Sequence, residues 1–369
     1  MYIHACVGFC VARFDRMGNA KASKSGTGNW YSNPHFFVLC TKQSINIQAW
    51  GLLPGNNIEA LLMNAFGEKK IVLVLGNGFD LSLKLRTSYS DFARSNEWRI
   101  MYNEYVDELS KRPSLLKHLQ YRSNIDEWFN IEGALLDYVR RDNIDASNRD
   151  IAKDRKEHEV LCTALGKYLT NHVEKSSHGL FDFPATRLLS LMARKQNTKI
   201  YTFNYTPLDL LLRVMDITDT IETVYIHGKA ADDSLVLGIE TDFEDDIIPG
   251  YEFLLKSYNP NYKSIEIYED MKMSDEVIIF GHSLNMIDSV YFDDFYQELI
   301  SSKASHHRIT IICKDEMSKN SILDNIKKMG ISIPKLFQYG KLEFILTANI
   351  SENSKNAYAF EQLLNRISN

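Results

Sequence analysis

The chain has little that would bind it to a polyanion or a lipid bilayer. Across 369 residues 48 acidic side chains outnumber 42 basic ones, a formal charge of -6. No basic run interleaved with aromatics occurs, so the usual footprint of a nucleic-acid partner is missing. No apolar run approaches the length of a membrane span. The first twenty residues also lack the basic start, apolar core and cleavage site of a secretory leader. A cytoplasmic protein without a membrane partner is expected. Cysteine is scarce and unframed: Cys6, Cys10, Cys40, Cys162 and Cys313 are odd in number and include no Cys-x-x-Cys pair, which argues against disulfides and a zinc ribbon. His306 and His307 are adjacent and so point apart, a poor metal pair, and no metal is expected. What remains, 44% hydrophobic and 24% charged, is ordinary globular composition with room for one large domain or two.

A complete dinucleotide fingerprint is also missing. Ile71, Val72, Leu73, Val74 and Leu75 run into Gly76, Asn77 and Gly78, after which the pattern turns helical through Phe79 and Asp80. This reads as a buried parallel strand feeding a phosphate-binding turn, because glycine has no Cβ to obstruct a diphosphate. The third glycine of a dehydrogenase would stand at Leu81, and no strand ending in an acid follows about twenty residues on. A ligand-free strand-to-helix turn is the plain alternative.

Residues 1–62 differ from the rest: they hold three cysteines, a Gly/Ser/Asn/Lys-rich stretch from Gly18 to Asn33, and no clear period beyond Phe36 to Cys40. They read as a poorly structured extension before a natural start at Met63, either a start-site artefact or a disordered segment. Residues 63–369 read as one nucleotide-binding domain. From about 97 to 194 the spacing is helical, as in Trp98, Met101, Tyr102, Tyr105 and Leu109, and again in Trp128, Ile131, Leu135 and Val139. These helices would form an all-α insertion between the first two strands of the sheet. Later strands are expected at Lys199–Phe203, Thr223–Ile226, Leu235–Gly238, Glu276–Phe280, Arg308–Cys313 and Lys341–Leu346, mostly followed by helices. The acidic, aromatic stretch from Glu240 to Met273 is a candidate lid. The fold class predicted is therefore α/β, a mostly parallel Rossmann-like sheet with helices on both faces.

Ligands of such sheets bind outside the carboxyl ends of the strands. Four strand ends carry polar or glycine-bearing turns: Gly76 to Gly78, Asn204 to Thr206, His227 with Gly228, and Gly281 to Ser283. They should converge on one crevice. Cleaving nicotinamide from ribose needs little acid help, since the leaving group departs neutral from a cationic nitrogen. The site must hold a diphosphate, bury nicotinamide, and orient ribose and water about an oxocarbenium-like centre. Asn204 can fix a ribose hydroxyl or water, and His227 can accept a proton near neutral pH. Each has a plain reading: Asn204 shapes a turn, His227 is structural, Asp80 favours a helix N-terminus, Ser283 caps a helix, Asp288 is a solvated or capping acid, and Trp128 with Glu132 is core packing with a salt bridge.

Taken together, Leu75 to Asp80, Thr87 to Phe92, Trp128 to Glu132, Phe203 to Thr206, Ile226 to Gly228, and Gly281 to Leu284 with Asp288 resemble the bacteriophage abortive-infection AbiH family over about residues 70–300. That family is distantly similar to the sirtuin fold. The resemblance implies diphosphate binding at Gly76 and Gly78, a ribose role for Asn204, a base at His227, and an adenosine site at Gly281 and Ser283. Asp91 and Phe92 would echo the sirtuin loop that closes over nicotinamide. Asn77 and Asp80 stand where sirtuins have Ala and Ser, and Thr206 stands where they have Asp. The function expected is antiphage hydrolysis of NAD+ to nicotinamide and ADP-ribose. A non-catalytic nucleotide or ADP-ribose sensor is the alternative, and phosphoester or nucleic-acid chemistry by Asp288, Asp293 and Asp294 a third. A small-molecule nucleotide, a phage protein as trigger and a second copy of the chain are the partners in view.

Overall fold

The structure is a computed structural model. It describes residues 69–368 except 128, 142–147, 177–182, 233, 241–246, 263–266, 303–306 and 351–353, together with four strands before residue 50. The chain divides into two compact units, 1–68 and 69–369. In the first, β1 (Val11–Phe14) pairs antiparallel with β2 (Ala20–Ser23), and β3 (Phe36–Thr41) with β4 (Ser44–Ala49). Most of the expected extension over 1–62, and Met63 itself, lie outside the described residues.

The second unit is built on β5 (Ile71–Leu75), whose five branched aliphatics are all buried. Because side chains alternate along a strand, Ile71, Leu73 and Leu75 enter one apolar layer while Val72 and Val74 enter the other. A strand covered on both faces has to be apolar throughout, and this one is. It lies between β6 (Thr198–Thr202) and β8 (Glu276–Phe280), parallel to both. With β7 (Glu222–Tyr225), β9 (Arg308–Cys313) and β10 (Glu343–Leu346) it completes a six-stranded sheet, order β10-β9-β8-β5-β6-β7. Every ladder in it is parallel. The chain steps outward from β5 to β7, then returns to the other side of β5 for β8. The order therefore reverses between β5 and β8, the position where open α/β sheets leave a crevice.

Between β5 and β6 every described element is a helix: α1 (Asn77–Ser82), α2 (Tyr89–Ala93), α3 (Asn96–Tyr105), α4 (Leu115–Ile125), α5 (Ile131–Val139), α6 (Ile151–Lys175) and α7 (Pro184–Ala193). Side-chain caps explain several starts: Ser95 accepts from Trp98 N–H, Asn130 from Glu132 N–H and Asp150 from Lys153 N–H. The cap at Asn130 starts α5 at Ile131, while the expected pairing of Trp128 with Glu132 on one helical face lies outside the described residues, because Trp128 does. Leu109 falls beyond α3 and is exposed, contrary to the helical spacing read from the sequence. Two acids of α6 secure α4: Asp154 accepts from Leu115 N–H at 3.0 Å and Glu157 from Leu116 N–H at 2.9 Å.

Helices cover both faces of the sheet. α7, α8 (Leu208–Val214) and α13 (Lys355–Ser368) pack on the side of Leu73. α9 (Ile267–Lys272), α10 (Asp293–Ser302), α11 (Glu316–Lys328) and α12 (Ile333–Tyr339) pack on the side of Val72. Leu235 to Gly238, expected as a strand, joins no ladder: its link to the preceding turn is Val236 N–H donating to His227 O at 2.8 Å. The expected lid is partly core, since Ile247, Tyr251, Leu254 and Leu255 are buried against the helical insertion, while 241–246 and 263–266 lie outside the described residues.

Candidate functional site

The turns after β5 and β8 meet at the point where strand order reverses, and they meet without space between them. Gly76 N–H donates to Phe280 O at 3.0 Å and Gly78 N–H to Gly281 O at 2.9 Å. A Cβ on Gly76 would lie 2.5 Å from His282 Cα, and one on Gly78 would lie 2.7 Å from Gly281 Cα. A Cβ on Gly281, at φ +68°, would lie 2.1 Å from Phe79 N. The glycines are thus required by one turn packing on another, a long-range reason that differs from the open phosphate cradle read from the sequence. Two of the first three amides of α1 are also committed, since Phe79 N–H donates to Gly76 O. Phe79 itself is buried edge-on to Phe280. Asn77 is exposed and its carbonyl accepts from Thr87 Oγ.

The turn after β6 docks on the same place. Asn204 is buried, and its amide nitrogen donates to Gly76 O at 3.1 Å and to Asp80 Oδ1 at 2.9 Å. Both amide protons are thereby used, leaving its side-chain carbonyl for other partners. Thr206 Oγ donates to Asp80 Oδ2 at 2.5 Å. Asp80 is therefore turned inward, joining the β5 and β6 turns. Burial lifts its carboxyl to about 6, against the lowering effect of bonds from Thr206, Asn204 and Thr87.

The turn after β7 brings His227, with Gly228 at φ +75° where a Cβ would collide with Ser234 O. His227 Nε2 stands 3.6 Å from Asp288 Oδ1, and His282 Nε2 stands 3.3 Å from Asp288 Oδ2. His282 Nδ1 accepts from Leu284 N–H at 3.0 Å, which places the proton of the neutral ring on Nε2, facing the acid. Phe203 fills the wedge between the two imidazoles, 4.3 Å from the His282 ring and 5.6 Å from that of His227. Burial works to raise the Asp288 carboxyl, but the two histidines more than offset this and hold it well below the usual carboxylate range. The remaining nitrogen of His227, Nδ1, is enclosed and has no hydrogen-bond partner among the described residues.

Around His227 the helical insertion and the segment after β7 together form a charged and polar wall. Lys256, buried, donates to Glu132 Oε2 at 3.2 Å. Glu132 Oε1 accepts from Tyr205 OH at 3.2 Å and Tyr89 OH at 3.4 Å. Desolvation works to lower Lys256, yet Glu132, Glu240 and Asp288 together hold it above its ordinary value.

Of the residues singled out from the sequence, the structure brings together Gly76, Gly78, Asp80, Asn204, Thr206, His227, Gly228 and Gly281. It places others elsewhere. Asp91 accepts from Ser88 Oγ within the cap of α2, and Phe92 is buried in the insertion core against Trp98 and Tyr168. Ser283 is exposed and accepts from the Asn285 side chain rather than capping a helix. Asp288, read as a solvated or capping acid, is buried between two histidines, and Glu132, read as core packing with a salt bridge, forms a salt bridge to Lys256. His282 and Lys256 were missed. His282 lay inside the quoted Gly281–Ser283 turn; Lys256 had only its setting after Leu254 and Leu255 to mark it. Among the described residues no cluster of three His, Cys, Asp or Glu side chains has the arrangement of a metal site. Nor is any described helix long and apolar enough to cross a membrane.

The family model for bacteriophage abortive infection AbiH matches residues 72–312. The chain belongs to the AbiH family. The match runs from β5 into β9, so it takes in the insertion and all four turns. Membership in AbiH gives the chain its broad role, abortive-infection defence against bacteriophage. No curated protein matches the chain.

Proposed function

We propose that this AbiH-family protein hydrolyses NAD+ to nicotinamide and ADP-ribose when infection is sensed, acting on the cytoplasmic NAD+ pool with a phage product as trigger. The reading rests on one observation above the others: the unpartnered, enclosed Nδ1 of His227, in a ring whose far nitrogen faces Asp288. With its Nε2 proton directed to the acid, the ring offers Nδ1 as a base toward the crevice, and Asp288 stabilises the imidazolium that forms. Nδ1 accepts a proton from a ribose hydroxyl or from water, and the Asn204 carbonyl orients the sugar. The leaving nicotinamide needs no proton, so a site that offers a base suits this bond. The pattern also explains the departures from sirtuins. The acid and hydroxyl that sirtuins carry at the positions of Thr206 and Asp80 are exchanged here, and Thr206 Oγ meets Asp80 Oδ2, so each side of the contact has the other's group.

A second reading, a nucleotide or ADP-ribose sensor without turnover, is favoured by the commitment of both Asn204 amide protons and of the Gly78 and Phe79 amides inside the protein. Nicotinamide release by the purified protein, with and without lysate of infected cells, separates the two. Turnover should fall by about 10²–10⁴-fold in His227→Ala, and cellular NAD+ should drop on infection with the wild type but not with that variant. Tight ADP-ribose binding with no product would select the sensor.

A further inference from the structure

A further enclosed polar atom without a hydrogen-bond partner among the described residues is Glu240 Oε1. Glu240 ends the extended run that leaves the His227–Gly228 turn. Ile239 N–H donating to Leu254 O at 2.8 Å, and Lys256 N–H donating to Ile239 O at 3.0 Å, fix the backbone on which it stands. That backbone pairing sets Glu240 in the same part of the fold as Lys256, and its carboxyl is within electrostatic reach of Lys256, His227, Asp288 and Glu132. The other two acids there are occupied: Asp288 faces both histidines, and Glu132 accepts from Lys256, Tyr89 and Tyr205. A buried carboxylate oxygen without a donor is unfavourable, and a bound hydroxyl or water is what completes it. Burial raises the Glu240 carboxyl, with Lys256 and His227 opposing, which makes its ionised form a stronger base than a free glutamate.

Building on the NAD+ reading, we infer that Glu240 is a further catalytic residue, the base that takes the proton of the attacking water, while His227 serves the ribose hydroxyl. In that step the water oxygen bonds to C1′ of the nicotinamide ribose. The C1′–N1 bond breaks, its electron pair passes to the ring nitrogen, and neutral nicotinamide leaves. The water proton goes to the Glu240 carboxylate and from there to solvent. NAD+ and water thus give nicotinamide, ADP-ribose and one proton, with no other reactant.

Water must lose a proton to attack, whereas a neutral pyridine attacking the same carbon has none to lose. Full-length protein supplied with NAD+ and 3-acetylpyridine reads both reactions, hydrolysis as ADP-ribose and exchange as the acetylpyridine dinucleotide. Glu240→Gln should slow hydrolysis by about a hundredfold and keep exchange within about threefold. Glu240→Ala, with room for a small acid, should regain hydrolysis when sodium formate is added. Equal loss of both reactions in Glu240→Gln with no formate rescue, or hydrolysis undiminished, overturns the role of Glu240 while leaving the NAD+ reading intact. A wild type inert in both reactions removes the NAD+ reading, and this inference with it.

Discussion

At the scale of single residues, Asp80 shows how one buried acid joins two turns and leaves a measurable trace. Its carboxyl titrates at about 6 when folded, above the ordinary 3.8, because burial outweighs its hydrogen bonds. Between those values the folded state holds a proton that the unfolded chain has released. The stabilising contribution of Asp80 is therefore full below about pH 4 and is lost as pH rises through about 6, a change of about 3 kcal/mol. Urea unfolding of wild type and Asp80→Asn across this range should show the variant gaining relative stability by that amount as pH rises. A difference independent of pH would mean that Asp80 does not titrate there. Asp288 has the opposite sign: held low by His227 and His282, it stabilises the fold above the ordinary carboxylate range and loses that contribution as acid protonates it. Two aspartates of one site thus pull acid stability in opposite directions, which is why the comparison with Asp80→Asn isolates one of them.

At the scale of elements, the controlling contact is the β5 turn against the β8 turn. Gly281 has a left-handed backbone and a face occupied by Phe79 N and Gly78. Gly281→Ala should therefore cost roughly 3 kcal/mol or more in urea unfolding, from strain and overlap together. Gly330 supplies the control, since at φ +78° it has no neighbour within 4 Å of an added Cβ. Its alanine variant should lose only about 1–2 kcal/mol, the penalty of the conformation alone. Equal losses at the two positions would show that the turns separate without difficulty. The contrast also bears on how the glycines were read. A glycine after a strand is visible in a sequence, but whether the missing Cβ makes room for a ligand or for another stretch of backbone depends on a segment some two hundred positions away.

At the scale of the whole α/β unit, the helical insertion and the sheet-end crevice are joined through charge as well as through apolar packing. Lys256, with 1% of its side chain exposed, reaches Glu132 on α5, whose other oxygen takes the hydroxyls of Tyr89 and Tyr205. Removing one member strands the other in a dry setting. Lys256→Met should destabilise the protein by about 3–5 kcal/mol, and the double variant with Glu132→Gln should lose less than the sum of the two single changes. Additive losses in denaturant would show that the pair does not couple the insertion to the crevice. AbiH membership supplies the biological frame at this scale, defence against phage.

Local pattern alone was enough for the parts of this protein that depend on near neighbours. Five branched aliphatics before a glycine read as a buried strand end, and helical spacing from Trp98 onward announced the insertion. The polar turns after β5, β6, β7 and β8 were legible because each lies directly beside its own strand. What only tertiary structure decided was which side chains face one another: Asp288 between two histidines, Glu132 against Lys256, Phe92 in the insertion core. The physical reason is that burial and electrostatic pairing depend on the strand order and on packing between distant segments, whereas periodicity reports only which side of its own element a residue occupies.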